Sequence, residues 1–228
     1  MKRATFLLCL VLGLSNCVMN QKITYKTKDI KSISEPKLAN IVIDIENFID
    51  KRKDNPENSV LFTKPRNLRM NKKDFCINSE KHYVNESVSK QITNLLAMHI
   101  EKHNAFKRVF TNKKDSADYY ITGNLTMFYG KQDYSTGAAV GASFGLIGAL
   151  ATMGIKTNGK IEIEIAELKL FDKNKRLIKN FGTVKKEYTG DLPADAYCWC
   201  IFWNINDKLK ECFSELTTNI ETEILRNQ

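Results

Sequence analysis

Lys160-Ile161-Glu162-Ile163-Glu164-Ile165-Ala166-Glu167-Leu168-Lys169-Leu170-Phe171 is the stretch on which the fold turns. Ile161, Ile163 and Ile165 alternate with charged neighbours, the period of a strand with one buried face. From Ala166 onward the apolar residues fall on Ala166, Leu168 and Leu170, one residue out of phase. The slip predicts either a β-bulge near Ala166 or burial of both faces. Asp172-Lys173-Asn174-Lys175 supplies turn residues, after which Arg176 to Tyr188 returns as the partner strand.

Two amphipathic segments can cover that face. Toward the C-terminus Ile205, Leu209, Cys212, Phe213, Leu216, Ile220 and Ile224 recur at helical spacing. From Asn85 to His103, Val88, Ile92, Leu95, Leu96 and Ile100 share one side of a helix, with Asn85 expected as N-cap. Asn40 to Phe48 is a β-branched run that reads as a strand, Phe106 to Phe110 as a short strand, and Ala117 to Tyr129 as a longer one. Residues 50–80 are polar, carry Pro56 and Pro65, and read as a loop. The predicted order is β-α-β-β-insert-β-β-α. It implies an α+β fold, a curved antiparallel sheet with two amphipathic helices packed on one face.

A chain of 228 residues with 43% hydrophobic content can fill one core. Its formal charge of +9 is spread along Lys-rich stretches, which suits solubility and anionic membrane surfaces. The basic clusters Lys64 to Lys73 and Lys107 to Lys114 read as solvated loops, and no basic helix or interleaved aromatic run points to a nucleic-acid partner.

The N-terminus has the parts of an export signal: Lys2 and Arg3, the apolar run Phe6 to Leu14, and a short polar exit to Cys17. Leu14-Ser15-Asn16-Cys17 resembles a bacterial lipobox, with Asn16 where a smaller residue is usual. This reading makes residues 1–16 a signal peptide, 17–38 a lipidated N-terminus and tether with one short strand at Ile23 to Lys26, and 39–228 one domain with an insert at 134–155. Acyl chains contribute about 0.8 kcal/mol per buried methylene, so a multiply acylated Cys17 would be held on the membrane without any spanning helix. The competing reading is plain secretion, with Cys17 a free thiol. Val18 is not the Asp that holds enterobacterial lipoproteins at the inner membrane, which points to the outer membrane.

With Cys9 removed and Cys17 acylated, Cys76, Cys198, Cys200 and Cys212 remain as disulfide candidates of open pairing in an exported protein. Cys198-Trp199-Cys200 lacks the two-residue spacing of zinc knuckles, so no metal site is expected. Asn85-Glu86-Ser87 and Asn124-Leu125-Thr126 match glycosylation acceptors, a remote eukaryotic reading.

Between Asp133 and Lys156 there is no charged residue, and Gly137, Gly141 and Gly145 stand four apart with Gly148 beyond them. On a helix such glycines make a flat surface on which another backbone packs closely. Three readings stay open: an excursion over the sheet or against a partner, an interfacial or inserted hairpin that could also assemble an oligomer, and a spanning helix. The last would put the two flanking strands on opposite sides of a membrane, where they could not pair.

The catalytic look-alikes fail on chemistry. Gly141-Ala142-Ser143-Phe144-Gly145 matches a nucleophile elbow, but no histidine follows it in the chain to act as base. Gly154 to Lys160 approaches a phosphate-binding loop, but Ile161 stands where a hydroxyl must hold magnesium, and the loop leads into a strand. His99 and His103 lack the Glu placement of the zinc-protease motif and read as surface residues favoured by the helix dipole. No catalytic residue and no cofactor is expected.

The lipobox-like leader, Phe48-x-Asp50-x-Arg52, the helix after it, and Ala117-Asp118-Tyr119-Tyr120-Ile121-Thr122-Gly123 entering a long strand resemble two groups of bacterial envelope lipoproteins. These are the YajG-type lipoproteins and the auxiliary lipoproteins of lipid-transporting ABC systems. The strand pair split by Asp172-Lys173-Asn174 and the last helix extend the likeness over residues 40–225, while the glycine-rich insert and Cys198-Trp199-Cys200 depart from it. The resemblance implies non-catalytic envelope work, an anchored domain binding a partner protein, a lipid or a cell-wall component. A second implied role is an oligomeric membrane-associated lipoprotein that uses residues 134–155.

Overall fold

The computed structural model describes residues 25, 27, 29–52, 87–113, 117–133, 137, 141, 144, 147–148, 150, 154–193 and 199–228. Among them the order is β1 (Leu38–Ile45), β2 (Ile49–Asp50), α1 (Val88–His103), β3 (Phe106–Thr111), β4 (Tyr119–Gln132), β5 (Lys156–Asp172), β6 (Leu177–Pro193) and α2 (Trp199–Arg226). The strands form one open six-stranded sheet in the order β3-β1-β4-β5-β6, with β2 alongside β4. The α+β architecture, with helices over the sheet, is the one the alternation patterns predict.

The sheet is mixed, where the patterns predicted an antiparallel one. β4, β5 and β6 are antiparallel, whereas β1 runs parallel to both β3 and β4. The cause is connectivity: α1 lies between β1 and β3, and a helical crossover returns the chain in its original direction. Alternation reports which face of a strand is buried, and that is the same in either pairing.

The slip near Ala166 is a bulge. The β5–β6 register shifts between Ile165 and Leu168, and Glu167 takes a φ of 51°. With this residue absorbed, Ile161, Ile163, Ile165, Leu168 and Leu170 all reach the same core. At the following turn the Asp172 carboxylate accepts from the backbone N–H groups of Asn174 and Arg176, both at 2.8 Å, and Lys175 takes a left-handed φ of 60°.

The N-cap of α1 lies two residues beyond the expected Asn85. Ser87 is the N-cap, its hydroxyl accepting from the Lys90 N–H, and Asn104 closes the helix at φ 62°. α2 runs antiparallel to β6, since Lys186 meets Glu215 and Lys179 meets Glu223. Its stripe Leu209, Phe213, Leu216, Ile220 and Ile224 is fully buried with the α1 stripe and the strand residues in one cluster. Each such side chain contributes about 1.5–3 kcal/mol on leaving water. The opposite face of the sheet carries ion pairs, Lys160 with Glu162 and Lys185 with Glu187, as expected for a solvated face.

The residues behind the family resemblance are packing residues. Asp118 accepts from the Val42 N–H at 2.8 Å and donates its own N–H to the Val42 carbonyl, joining β1 to the start of β4. A Cβ on Gly123 would stand 3.1 Å from the Phe48 ring, so that glycine makes room for a buried phenyl group. Asp50 is engaged by the Arg52 guanidinium through two contacts of 2.9 and 2.7 Å. Burial works against its charge, but the Arg52 hydrogen bond and charge prevail and hold the carboxyl below its ordinary range.

Candidate functional site

The stretch expected to be a free tether is docked from Tyr25 onward. Tyr25 is buried, and Ile30 and Ile33 pack against the core. Its partners lie on the two helices. The Tyr25 hydroxyl is 2.8 Å from His99 Nδ1, and its ring meets Phe213 edge-on at 5.7 Å between centroids. One turn along α1, His103 Nδ1 bonds the Lys31 carbonyl at 2.8 Å and Nε2 reaches Glu221 at 3.3 Å. Ile33 donates its N–H to the His103 carbonyl, and Asp29 pairs with Lys210 at 2.9 Å.

These contacts give the stretch a direction. Lys31 sits level with His103 and Glu221, near the C-terminal ends of both helices. Asp29 and Tyr25 sit level with Lys210, Phe213 and His99, further toward the N-terminus of α2. Followed backward from Ile33, the chain runs in the groove between α1 and α2 toward the end of the domain where α2 begins.

The two histidines are therefore not simple surface residues. His99 is 2% exposed, and burial, reinforced by the charges of His103 and Lys210, lowers its pKa from 6.5 to about 4. It is neutral at neutral pH, with one ring nitrogen toward Tyr25 and the other 3.4 Å from the Ser214 hydroxyl. Burial raises the Tyr25 phenol above its ordinary value. Ser214 beside His99 does not make an acyl-transfer site. It lies within a helix, where neighbouring backbone N–H groups are used by the helix itself and none is left to stabilise an oxyanion.

The second feature is the insert between β4 and β5. Residues 137 and 141 are helical, 144 is in a turn, and 147, 148 and 150 are helical again. Gly141 and Gly148 are buried against each other. A Cβ on Gly148 would stand 1.8 Å from the Gly141 carbonyl oxygen, so only a hydrogen fits between the two backbones. The Phe144 N–H donates to that same carbonyl at 3.0 Å and turns the chain. Phe144, Ile147 and Leu150 are 73%, 81% and 54% exposed. Among the described residues no helix is long and apolar enough to cross a membrane.

The other predicted site residues distribute as follows. Gly137 is exposed, while Cys17, Cys76, Cys198 and Gly145 lie outside the described residues, as does the side chain of Cys200. Cys212 is not a bridge partner. It is a free thiol on the buried stripe of α2, with its pKa pushed up to about 12 by burial and then by Glu215. The sequon residue Asn124 is 4% exposed within β4, which leaves no room for a glycan. Sequence reasoning missed Tyr25, because one tyrosine in a stretch without apolar periodicity carries no signal of burial.

An open mixed sheet covered by two helices defines an α+β domain. No family model matches the chain, and no curated protein does. Solved structures with a similar arrangement include a Xanthomonas campestris protein of family model DUF330, at 10% identity, with 86% of this chain and 89% of that chain covered and a TM-score of 0.43. A PelC dodecamer from Paraburkholderia phytofirmans is similar at 9% identity, with 82% and 95% covered and a TM-score of 0.36. A neuraminyllactose-binding hemagglutinin homolog from Helicobacter pylori is similar at 9% identity, with 91% and 100% covered and a TM-score of 0.37.

Proposed function

We propose that this chain is a non-catalytic lipoprotein of the bacterial envelope. A lipid on Cys17 holds its α+β domain on the outer membrane, where the domain binds a partner protein, a lipid or a cell-wall component. The observation that carries the reading is the leader: a charged start, an apolar run too short to span a bilayer, and Leu14-Ser15-Asn16-Cys17. The docked stretch supports it. Only residues 18–24 separate Cys17 from Tyr25, which is fixed in the core, so an acylated Cys17 holds the domain close to the bilayer. The likeness in layout to YajG-type and transporter-auxiliary lipoproteins points the same way.

Metabolic labelling with a fatty-acid analogue tests the anchor. The wild-type chain takes up label and fractionates with membranes, and Cys17→Ser takes up none. Native protein whose N-terminus is still Met1, or equal labelling of both chains, overturns the reading.

A further inference from the structure

We propose that residues 25–33 form a strap that acid releases from between α1 and α2 by placing a proton on His99. Its effect on the reach from Cys17 to the domain rests on the reading above; the release itself does not.

The strap is fastened by side chains and by two contacts to the end of α1, not by a sheet. Residues 25–33 belong to none of the six strands. Tyr25 meets His99, the Lys31 carbonyl meets His103, and Asp29 meets Lys210. Ile33 donates its N–H to the His103 carbonyl, and its own carbonyl accepts from the Asn104 side chain at 3.0 Å. A segment near the start of a chain, held in this way, opens at a lower free energy than the strands and helices beneath it.

The two histidines under the strap differ in what faces them. Both ring nitrogens of His103 face acceptors, the Lys31 carbonyl and the Glu221 carboxylate. His99 faces only hydroxyls, Tyr25 at Nδ1 and Ser214 at Nε2, and among the described residues no carboxylate pairs with it. The acidic groups of the groove are taken, Asp29 by Lys210 and Glu221 by His103. The remaining titratable groups around the strap are the Lys210 ammonium and the Cys212 thiol on α2, the Tyr25 phenol, and His103 one turn along α1. None of them supplies a negative charge at neutral pH. A proton on His99 beneath the closed strap is thus a buried cation without a counter-charge, which agrees with the lowering of its pKa to about 4.

Opening the strap takes the Tyr25 hydroxyl off Nδ1 and lets water solvate the ring there. The open state therefore binds the proton better, and a state that binds the proton better gains population as pH falls. With His99 titrating near 6.5 under an open strap and at about 4 under a closed one, docking weakens by up to about 30-fold between pH 7.5 and 5. While the strap is closed, residue 17 lies eight steps from the fixed Tyr25, at most about 27 Å. Once it opens, the next fixed point is Leu38 at the start of β1, 21 steps away and at most about 70 Å. Acid would then let a domain held by a lipid on Cys17 stand further from its bilayer.

The test uses the full chain carrying Cys17→Ser, so that no acyl chain enters the result. Amide hydrogen exchange, corrected for its intrinsic pH dependence, is followed from pH 7.5 to 5 at Ile33 and at Ile161, Ile163 and Ile165 of β5. The Ile33 amide exchanges faster than the β5 amides and is not accelerated by low urea, the mark of opening without unfolding. Toward pH 5 its protection falls about fivefold or more, and His99→Gln flattens that change. Tyr25→Ala, checked for β5 amides that remain protected, gives the reciprocal result: the ring protons of His99 titrate nearer 6.5 than in the parent. Ile33 protection and urea dependence equal to those of β5, a smaller fall in the parent, the same fall in His99→Gln, or an unmoved His99 midpoint in Tyr25→Ala overturns the proposal. Loss of fatty-acid labelling in the wild type would instead remove the anchor and leave the release standing.

Discussion

The hydroxyl of Tyr25 lies 2.8 Å from Nδ1 of His99, a residue 74 positions further along the chain, and this contact turns a stretch with the look of a linker into part of the folded domain. Tyr25→Phe keeps the ring against Phe213 and leaves a buried imidazole nitrogen without its partner, a loss of about 1–3 kcal/mol. Tyr25→Ala removes the ring as well and costs about 3–5 kcal/mol. Urea denaturation of the two variants should rank them in that order, and a parent-like midpoint for Tyr25→Phe would show that the hydrogen bond contributes nothing.

His99 also sets a pH dependence. Its folded pKa of about 4 lies below the ordinary 6.5, so the unfolded chain binds a proton that the native chain refuses. The stabilisation is complete above 6.5 and declines as pH falls from 6.5 toward 4, at roughly 1.4 kcal/mol per pH unit once the unfolded histidine is protonated. Between pH 6.5 and 5, above the range of most carboxylates, the parent should lose stability while His99→Gln shows a flatter profile. Identical slopes for the two chains would assign the pH effect elsewhere.

Gly123→Ala places a methyl group 3.1 Å from the Phe48 ring and 3.3 Å from the Leu168 side chain. Overpacking in a filled core costs about 1–3 kcal/mol. Combining it with Phe48→Leu should recover part of that loss, because the smaller side chain vacates the space the methyl needs. Strict additivity in the double variant would rule out the clash as the cause.

Cys212 should resist alkylation. Its thiol is buried, and its pKa of about 12 leaves almost no thiolate near neutrality. Peptide mapping after iodoacetamide treatment at pH 8 should find Cys212 unmodified in the native protein and fully modified in denaturant. Native labelling, or recovery of Cys212 in a disulfide-linked peptide, would contradict its placement in the core.

The legible parts of the fold were those whose signal repeats. Ile161 to Leu170 declared a strand with a slip, which the structure resolves as a bulge and not as burial of both faces, Asp172 to Lys175 the turn, and Leu209 to Ile224 the helix stripe, because each pattern occurs several times over. Parallel pairing of β1 left no trace in Ile41 to Ile45, since alternation is blind to strand direction. The cap shifted from Asn85 to Ser87 because both residue types cap well and two positions make a small difference in pattern. At the candidate site, the glycine spacing pointed to a flat surface for another backbone, whereas Gly148 meets Gly141 of the same segment and Gly137 is exposed. His99 looked like a surface residue because its partner, Tyr25, lies far away in sequence. Cys212 was counted with the disulfide candidates although it shares the periodic stripe of Leu209 and Phe213, and on that helix burial outweighs its redox chemistry.

The lengthwise course of residues 25–33 between the helices has a mechanical corollary. A pull on the N-terminus, directed out of the end where α2 begins, acts along the groove, so the Tyr25, Asp29, Lys31 and Ile33 attachments bear load together in shear. A pull perpendicular to the groove would peel the same attachments away in sequence, starting at Tyr25. A load acting parallel to the helices would thus meet a stiffer attachment than one acting across them.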